Sequence, residues 1–129
     1  MDCRDHKGFD DMKLTITAPS ILISTQAVDF RKSIDGLVDI VITKHCLDPR
    51  EHIFVFYNRA RDKIKILAWH KNGFVLLLKR LEKGCFNLID GDPEADTVTI
   101  DVQQFSWLLA GLDWIKMSTW GELEYRDFR

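Results

Sequence analysis

The sequence predicts an α+β fold, an antiparallel β-meander of about four to five strands packed against two main helices. Three observations predict it. Between Ile53 and Ile89 apolar residues recur with a period of two, in short runs separated by turn residues. A segment on either side of that stretch carries apolar residues at helical spacing instead. The links between the runs are too short for crossover helices, so sequential strands are expected to pair antiparallel. With 129 residues, 46% of them apolar, the chain is large enough for one domain with its own core.

Residues 1–13 are polar and aperiodic and read as a flexible leader. The domain is placed at residues 14–115, and residues 116–129 form a tail with no assignable pattern. Ile21-Leu22-Ile23, after Pro19, reads as a first short strand. Phe30, Ile34, Leu37, Val38, Val41 and Ile42 then fall on one stripe of a helix, with Asp29 placed to cap its N-terminus. Gly36 within that helix costs about 1 kcal/mol relative to alanine, which suggests close packing there. The helix should end near Lys44-His45, before a turn at Asp48-Pro49.

Ile53–Asn58, Lys63–Trp69 and Phe74–Arg80 are the next strands, joined by a charged turn over Arg59–Asp62 and by Asn72-Gly73, a strong hairpin signal. Lys83-Gly84 turns the chain into a further strand over Cys85–Ile89. An acidic loop over Asp90–Asp96 precedes a short strand at Thr97–Ile100. Asp101 caps the second helix, with Gln104 at the capping-box position and Val102, Phe105, Leu108, Leu109 and Leu112 on its apolar face; Gly111 closes it.

Charge is the least even property of the chain. Residues 53–86 carry eight basic residues against two acidic ones, whereas residues 87–129 carry three against nine. A chain of formal net charge −2 therefore contains a cationic centre, and that centre lies on strands. Lys63 and Lys65 share one side of their strand, and Ile64 and Ile66 share the other. If Asn72-Gly73 is a two-residue loop, Lys65 lies opposite Arg80 and Lys63 opposite Glu82. A directly opposed Lys–Arg pair calls for an anion, which a phosphate backbone would supply. A solvated sheet face with edge lysines would carry the same pattern. Trp69 and Phe74 flank the hairpin as a surface for base stacking or, more commonly for such residues, as a strand-pairing couple.

Other chemistry finds little footing. Cys3, Cys46 and Cys85 are odd in number and widely spaced, which fits reduced thiols in a cytoplasm rather than a disulfide framework. Together with four histidines they contain no paired spacing of the kind zinc sites use, so no metal or cofactor is expected. There is no phosphate-binding glycine loop, no nucleophile elbow and no HExxH. Asp29, Asp35 and Asp39 are the nearest approach to an acidic cluster, a weak basis for a metal-dependent nuclease. No apolar run is long enough to span a membrane, and the N-terminus lacks a secretory core.

Three ordered segments carry a family resemblance. Val28-Asp29-Phe30-Arg31-Lys32-Ser33-Ile34-Asp35-Gly36-Leu37 is the first. The second runs from Phe54-Val55-Phe56 through Asp62-Lys63-Ile64-Lys65-Ile66-Leu67 and Gly73-Phe74 to Lys79-Arg80-Leu81-Glu82-Lys83-Gly84. Leu108-Leu109-Ala110-Gly111-Leu112-Asp113-Trp114 is the third. Together they resemble the Orf2-like (TnpB) accessory protein of the insertion-sequence-66 family of bacterial transposons, over about residues 21–114. The chain departs from that pattern at Ser33, at Tyr57, Ala60 and Arg61, at Ala68, and at Asn87-Leu88-Ile89-Asp90, which thins the aromatic content but keeps the cations.

The resemblance implies a non-enzymatic accessory role in DNA transposition, beside a separate and larger transposase. DNA is then the expected partner, met through Arg31, Lys32, Arg59, Arg61, Lys63, Lys65, Lys79 and Arg80. The alternative is an interaction module that docks onto the transposase or forms a homo-oligomer without binding DNA, the basic centre meeting an acidic surface.

Overall fold

A computed structural model of the protein describes residues 20–88 and 95–118. Its elements are β1 (Ile21–Ser24), α1 (Ile34–Thr43), β2 (Ile53–Tyr57), β3 (Lys63–His70), β4 (Gly73–Arg80), β5 (Thr97–Ile100) and α2 (Val102–Leu109), and residues 114–118 add a helical turn. The five strands form one sheet in the order β4-β3-β2-β1-β5. The α+β class is as expected, with β2, β3 and β4 as the antiparallel meander. The other two strands are added differently. β1 pairs in parallel with β2, Leu22 opposite Phe54, and α1 is the crossover between them. β5 then pairs antiparallel with the far side of β1.

β2 is the centre of this arrangement. All five of its residues are buried, because helices cover both faces of the sheet there, and a strand buried on both sides reads as a continuous apolar run. On one face Leu22, Phe54, Phe56 and Leu67 pack against Leu37 and Val41 of α1. On the other face Ile23, Val55, Tyr57, Ile64, Ile66 and Ile100 pack against Leu108 of α2 and Trp114.

Three expectations are corrected. Residues 85–88 form no strand; Gly84 takes a positive φ of 81° and the chain folds under the sheet, where Phe86 and Leu88 are buried. The Phe86 amide donates to the Arg61 carbonyl and the Trp114 indole to the Asn87 carbonyl, so the segment is a plug held at both ends. Asp29 does not cap α1. The N-cap is Ser33, without a side-chain bond, and Asp29 closes a separate turn by accepting from the Arg31 amide at 2.9 Å. Arg31 and Lys32 therefore precede the helix. In the β3–β4 hairpin the two loop residues are Lys71 and Asn72, with His70 opposite Gly73. Lys71 itself takes the positive φ, 54°, so the turn moves by one residue and each partner by two: Lys63 lies opposite Arg80, Lys65 opposite Leu78.

α2 follows its predicted pattern closely. The Asp101 carboxylate accepts from the Gln104 amide at 2.7 Å, and the Gln104 side chain accepts from the Asp101 amide at 2.9 Å. Gly111, at φ 79°, donates to Leu108 while Leu112 donates to Trp107, which satisfies the last carbonyls of the helix. Val102, however, is 75% exposed, and the buried face centres on Leu108. Trp69 and Phe74 stack edge to face across the hairpin at 4.9 Å, as strand-pairing residues do. The leader at residues 1–13, most of the acidic loop and residues 119–129 lie outside the described residues.

His45, just beyond α1, has a nearly buried side chain whose Nδ1 finds no hydrogen bond among the described residues. The Asp96 carboxylate stands 3.9 Å away. Burial pushes the imidazole below its ordinary value of 6.5, a little offset by Asp96 and reinforced by Lys44. The folded state thus favours neutral His45, and the unfolded chain takes up the proton first as pH falls.

Two predictions follow from the packing and one from the histidine. Asp101→Ala is expected to cost about 1 kcal/mol in urea unfolding, and Leu108→Ala about 2–5 kcal/mol. Wild-type stability is expected to fall as pH drops below the 6.5 reference value of the imidazole, and His45→Gln to flatten that part of the profile. An identical pH slope in the two proteins would mean that His45 carries none of it.

Candidate nucleic-acid interface

One end of the sheet gathers the predicted cations. Asn58 organises the β2–β3 turn. Its amide Nδ2 donates to Asp62 Oδ1 at 2.7 Å, its Oδ1 accepts from the Lys63 amide at 3.1 Å, and its carbonyl accepts from the Arg61 amide at 2.9 Å. Arg61 meets this geometry with a positive φ of 63°. The turn is braced from outside as well, since Leu81 donates to the Asp62 carbonyl and Phe86 to that of Arg61. Arg59 is left exposed at the tip and Arg61 half-buried.

The loop that leads into α1 comes down beside this turn. Val28 donates to the Tyr57 carbonyl at 2.9 Å. Lys65, on the α1 side of β3, sends its ammonium to the carbonyls of Phe30 and Lys32, 2.8 Å from each, and lies 4.7 Å from the centre of the Phe30 ring. Between loop and turn lies a half-open cleft of about 480 Å³ lined by Ala27, Val28, Asp29, Phe30, Asn58, Arg59 and Ala60. Residues 28–30 of the first segment that carried the family resemblance thus meet the turn between Phe56 and Asp62 as the walls of one depression.

The carboxylates at this end are already engaged. Arg31 grips Asp29 with a fork of bonds at 2.6–3.1 Å, and that guanidinium holds the carboxyl far below the usual range. Asp62 is lowered first by the Asn58 amide and then by Lys63, whose ammonium stands 3.7 Å away. Glu82 accepts from Arg80 at 3.0 Å. Residues 27–32 and 58–63, with Arg80 and Glu82, thus hold six cations (Arg31, Lys32, Arg59, Arg61, Lys63, Arg80) and three carboxylates (Asp29, Asp62, Glu82).

Two predicted contacts have other partners. Lys65 is a structural tie, as described. Lys79 projects from the opposite face of the sheet, where its ammonium donates to the Leu109 carbonyl at the end of α2. The sequence contains a signal for the role of Lys65 that charge alone does not carry. Leu67 and Trp69 share its side of β3, so that side too is covered. The cleft itself had no signal in the sequence, because it arises where two distant segments meet.

Among the described residues no three His, Cys, Asp or Glu side chains are grouped to hold a metal ion. Asp35 and Asp39 are exposed along α1, and Asp29 is taken by Arg31. No described helix is long and apolar enough to cross a membrane.

Comparison with known proteins gives these features a context. No solved structure matches the chain. The chain is similar to a protein of Sinorhizobium fredii (strain NBRC 101917 / NGR234) named only as uncharacterized protein y4jC, with 36% identity over 98 residues, 75% of this chain and 82% of that one. Uncharacterized protein y4hO of the same organism is 30% identical over 95 residues, 73% of this chain and 81% of its own length. The family described as IS66 Orf2 like protein matches residues 19–119, which takes in every described strand and both helices. The chain belongs to the Orf2-like family of the insertion-sequence-66 transposons, a family with an accessory place in transposition.

Proposed function

We propose that this protein is a non-enzymatic accessory protein of DNA transposition whose basic sheet end rests on the phosphate backbone of DNA. The observation that carries the reading is the junction of the 27–32 loop with the Arg59–Asp62 turn, where cations outnumber carboxylates and each carboxylate is already bonded within the chain. An ion-paired arginine or lysine at a surface can exchange its carboxylate for a phosphate at small cost, since exposed pairs contribute only about 0–1 kcal/mol. Lys63 and Arg80 lie directly opposite each other, a like-charge pair that a bridging phosphate would relieve.

Contacts of this kind position a protein and read little sequence. Affinity should be dominated by counterion release and fall steeply with salt. Lys65 and Lys79 contribute to the fold in this account, so the phosphate-facing set narrows to Arg31, Lys32, Arg59, Arg61, Lys63 and Arg80. The exposed leucines of β4 favour a second kind of contact, with protein.

Fluorescence anisotropy with duplex DNA carrying the element's end sequence tests the proposal. Binding is expected at about 50 mM salt, with Arg59→Ala and Lys63→Ala each weakening it and lowering the salt slope by about one. Lys65→Ala is expected to lower thermal stability as well, and Lys79→Ala to have little effect on affinity. Absence of binding at that salt, or binding indifferent to Arg59→Ala and Lys63→Ala, contradicts the proposal.

A further inference from the structure

β4 is the outermost strand beside β3, so along its eight residues about half of the backbone N–H and C=O groups point away from the sheet. Among the described residues no strand pairs with that side. The edge is also apolar. Phe74 to Leu78 is an unbroken apolar run, and Leu77 and Leu78 are 40% and 59% exposed. These two leucines lie on opposite faces of the strand, so a helix laid on either face could cover only one of them. A strand added at the edge covers both. Proteins ordinarily blunt an edge of this length, and the two cations that could do so here are already bonded within the chain, Lys79 to Leu109 and Arg80 to Glu82.

With its cations matched internally, what the edge leaves to be matched is its apolar run, and the run is complementary to itself. We propose that β4 pairs antiparallel with β4 of a second copy, about a twofold axis at Leu76. A twofold axis normal to the sheet preserves its two faces, so opposed residues must share a face and the axis must pass at a residue position. Centred on Leu76, the pairing sets Phe74 of one copy against Leu78 of the other and Val75 against Leu77. Both exposed leucines then gain apolar neighbours. Lys79 falls opposite Gly73 and Arg80 opposite Asn72, so no like charges are opposed. Centring on Leu77 instead would set Lys71 against Lys83 and put Val75 against Lys79, which is unfavourable. The charges select the register at Leu76.

The product is a continuous ten-stranded sheet with a basic end at each side. By strand dimensions alone the two Lys63 positions would stand about 30 Å apart, close to the ~34 Å turn of duplex DNA. That spacing bears on function only through the DNA reading above; the pairing itself does not depend on it. A single strand edge is a small interface, so the dimer belongs to the weak, concentration-dependent class.

Sedimentation equilibrium of the nuclease-treated full chain, without DNA, tests the proposal over roughly 5–300 µM, a range suited to weak interfaces. The mass is expected to rise from 15.0 kDa towards twice that value. Leu78→Lys should hold it at the monomer with an unchanged circular dichroism spectrum, while Val102→Lys, at an exposed site on α2, should associate like wild type. In a chain with Cys3, Cys46 and Cys85 replaced by serine, Leu76→Cys should oxidise to a covalent dimer and Leu78→Cys should not. A monomer throughout, association that survives Leu78→Lys or is lost in Val102→Lys, or cross-linking at Leu78 but not Leu76 overturns the proposal. Because DNA is absent from every arm, these outcomes are separate from failure of the DNA reading.

Discussion

The ammonium of Lys65 is the tie on which the basic end of the molecule depends. It satisfies two backbone carbonyls, Phe30 and Lys32, in the stretch just before α1 begins. The N-cap Ser33 makes no side-chain capping bond of its own. Hydrogen bonds to a charged group contribute about 1.5–3 kcal/mol each, against about 0.5–1.5 for neutral ones. The Phe30 ring under the ammonium adds a cation–π contact. Remove the tie and the loop loses its seat against β3, and with it one wall of the cleft.

The burial of β2 explains why Lys65 can act in this way. With α1 on one face and α2 with Trp114 on the other, the sheet is covered on both sides at its centre and uncovered towards β4. A lysine on β3 stands at the boundary, near enough to the start of α1 to reach its backbone. Lys63, two residues earlier on the same face, lies beyond that reach and meets Asp62 and Arg80 instead. Position in the sheet, rather than residue type, thus divides the cations into those that hold the fold and those that face outward. The same gradient leaves Leu77 and Leu78 uncovered at the edge.

Much of this was legible in the sequence, and what was not has identifiable causes. The period-two runs placed β2, β3 and β4, and the capping box placed α2, because both signals are local. The Arg59–Asp62 turn was legible for the same reason. The hairpin register was not, because Asn72-Gly73 is the stronger turn signal while the chain turns at Lys71-Asn72, with a lysine in the left-handed region. Cys85–Leu88 has the alternation of a strand but is turned under the sheet by Gly84 and pinned by Arg61 and Trp114. The pairing of β1 with β2 is a long-range choice that no local pattern announces. Of the site, the charge excess and its position on β3 were readable. The use of Lys65 and Lys79 on backbone carbonyls was not, since a carbonyl acceptor leaves no mark in a sequence.

The central claim is that a protein of near-neutral net charge presents one cationic end, built by the meeting of the 27–32 loop and the Arg59–Asp62 turn, to DNA. Its most direct test is a titration of the isotope-labelled protein with duplex DNA, followed by amide chemical shifts. The account predicts that perturbations concentrate at residues 27–32, 58–63 and 80 and leave β5 and α2 unmoved. Perturbations centred on β5 and α2, or none at all at low salt, would contradict it.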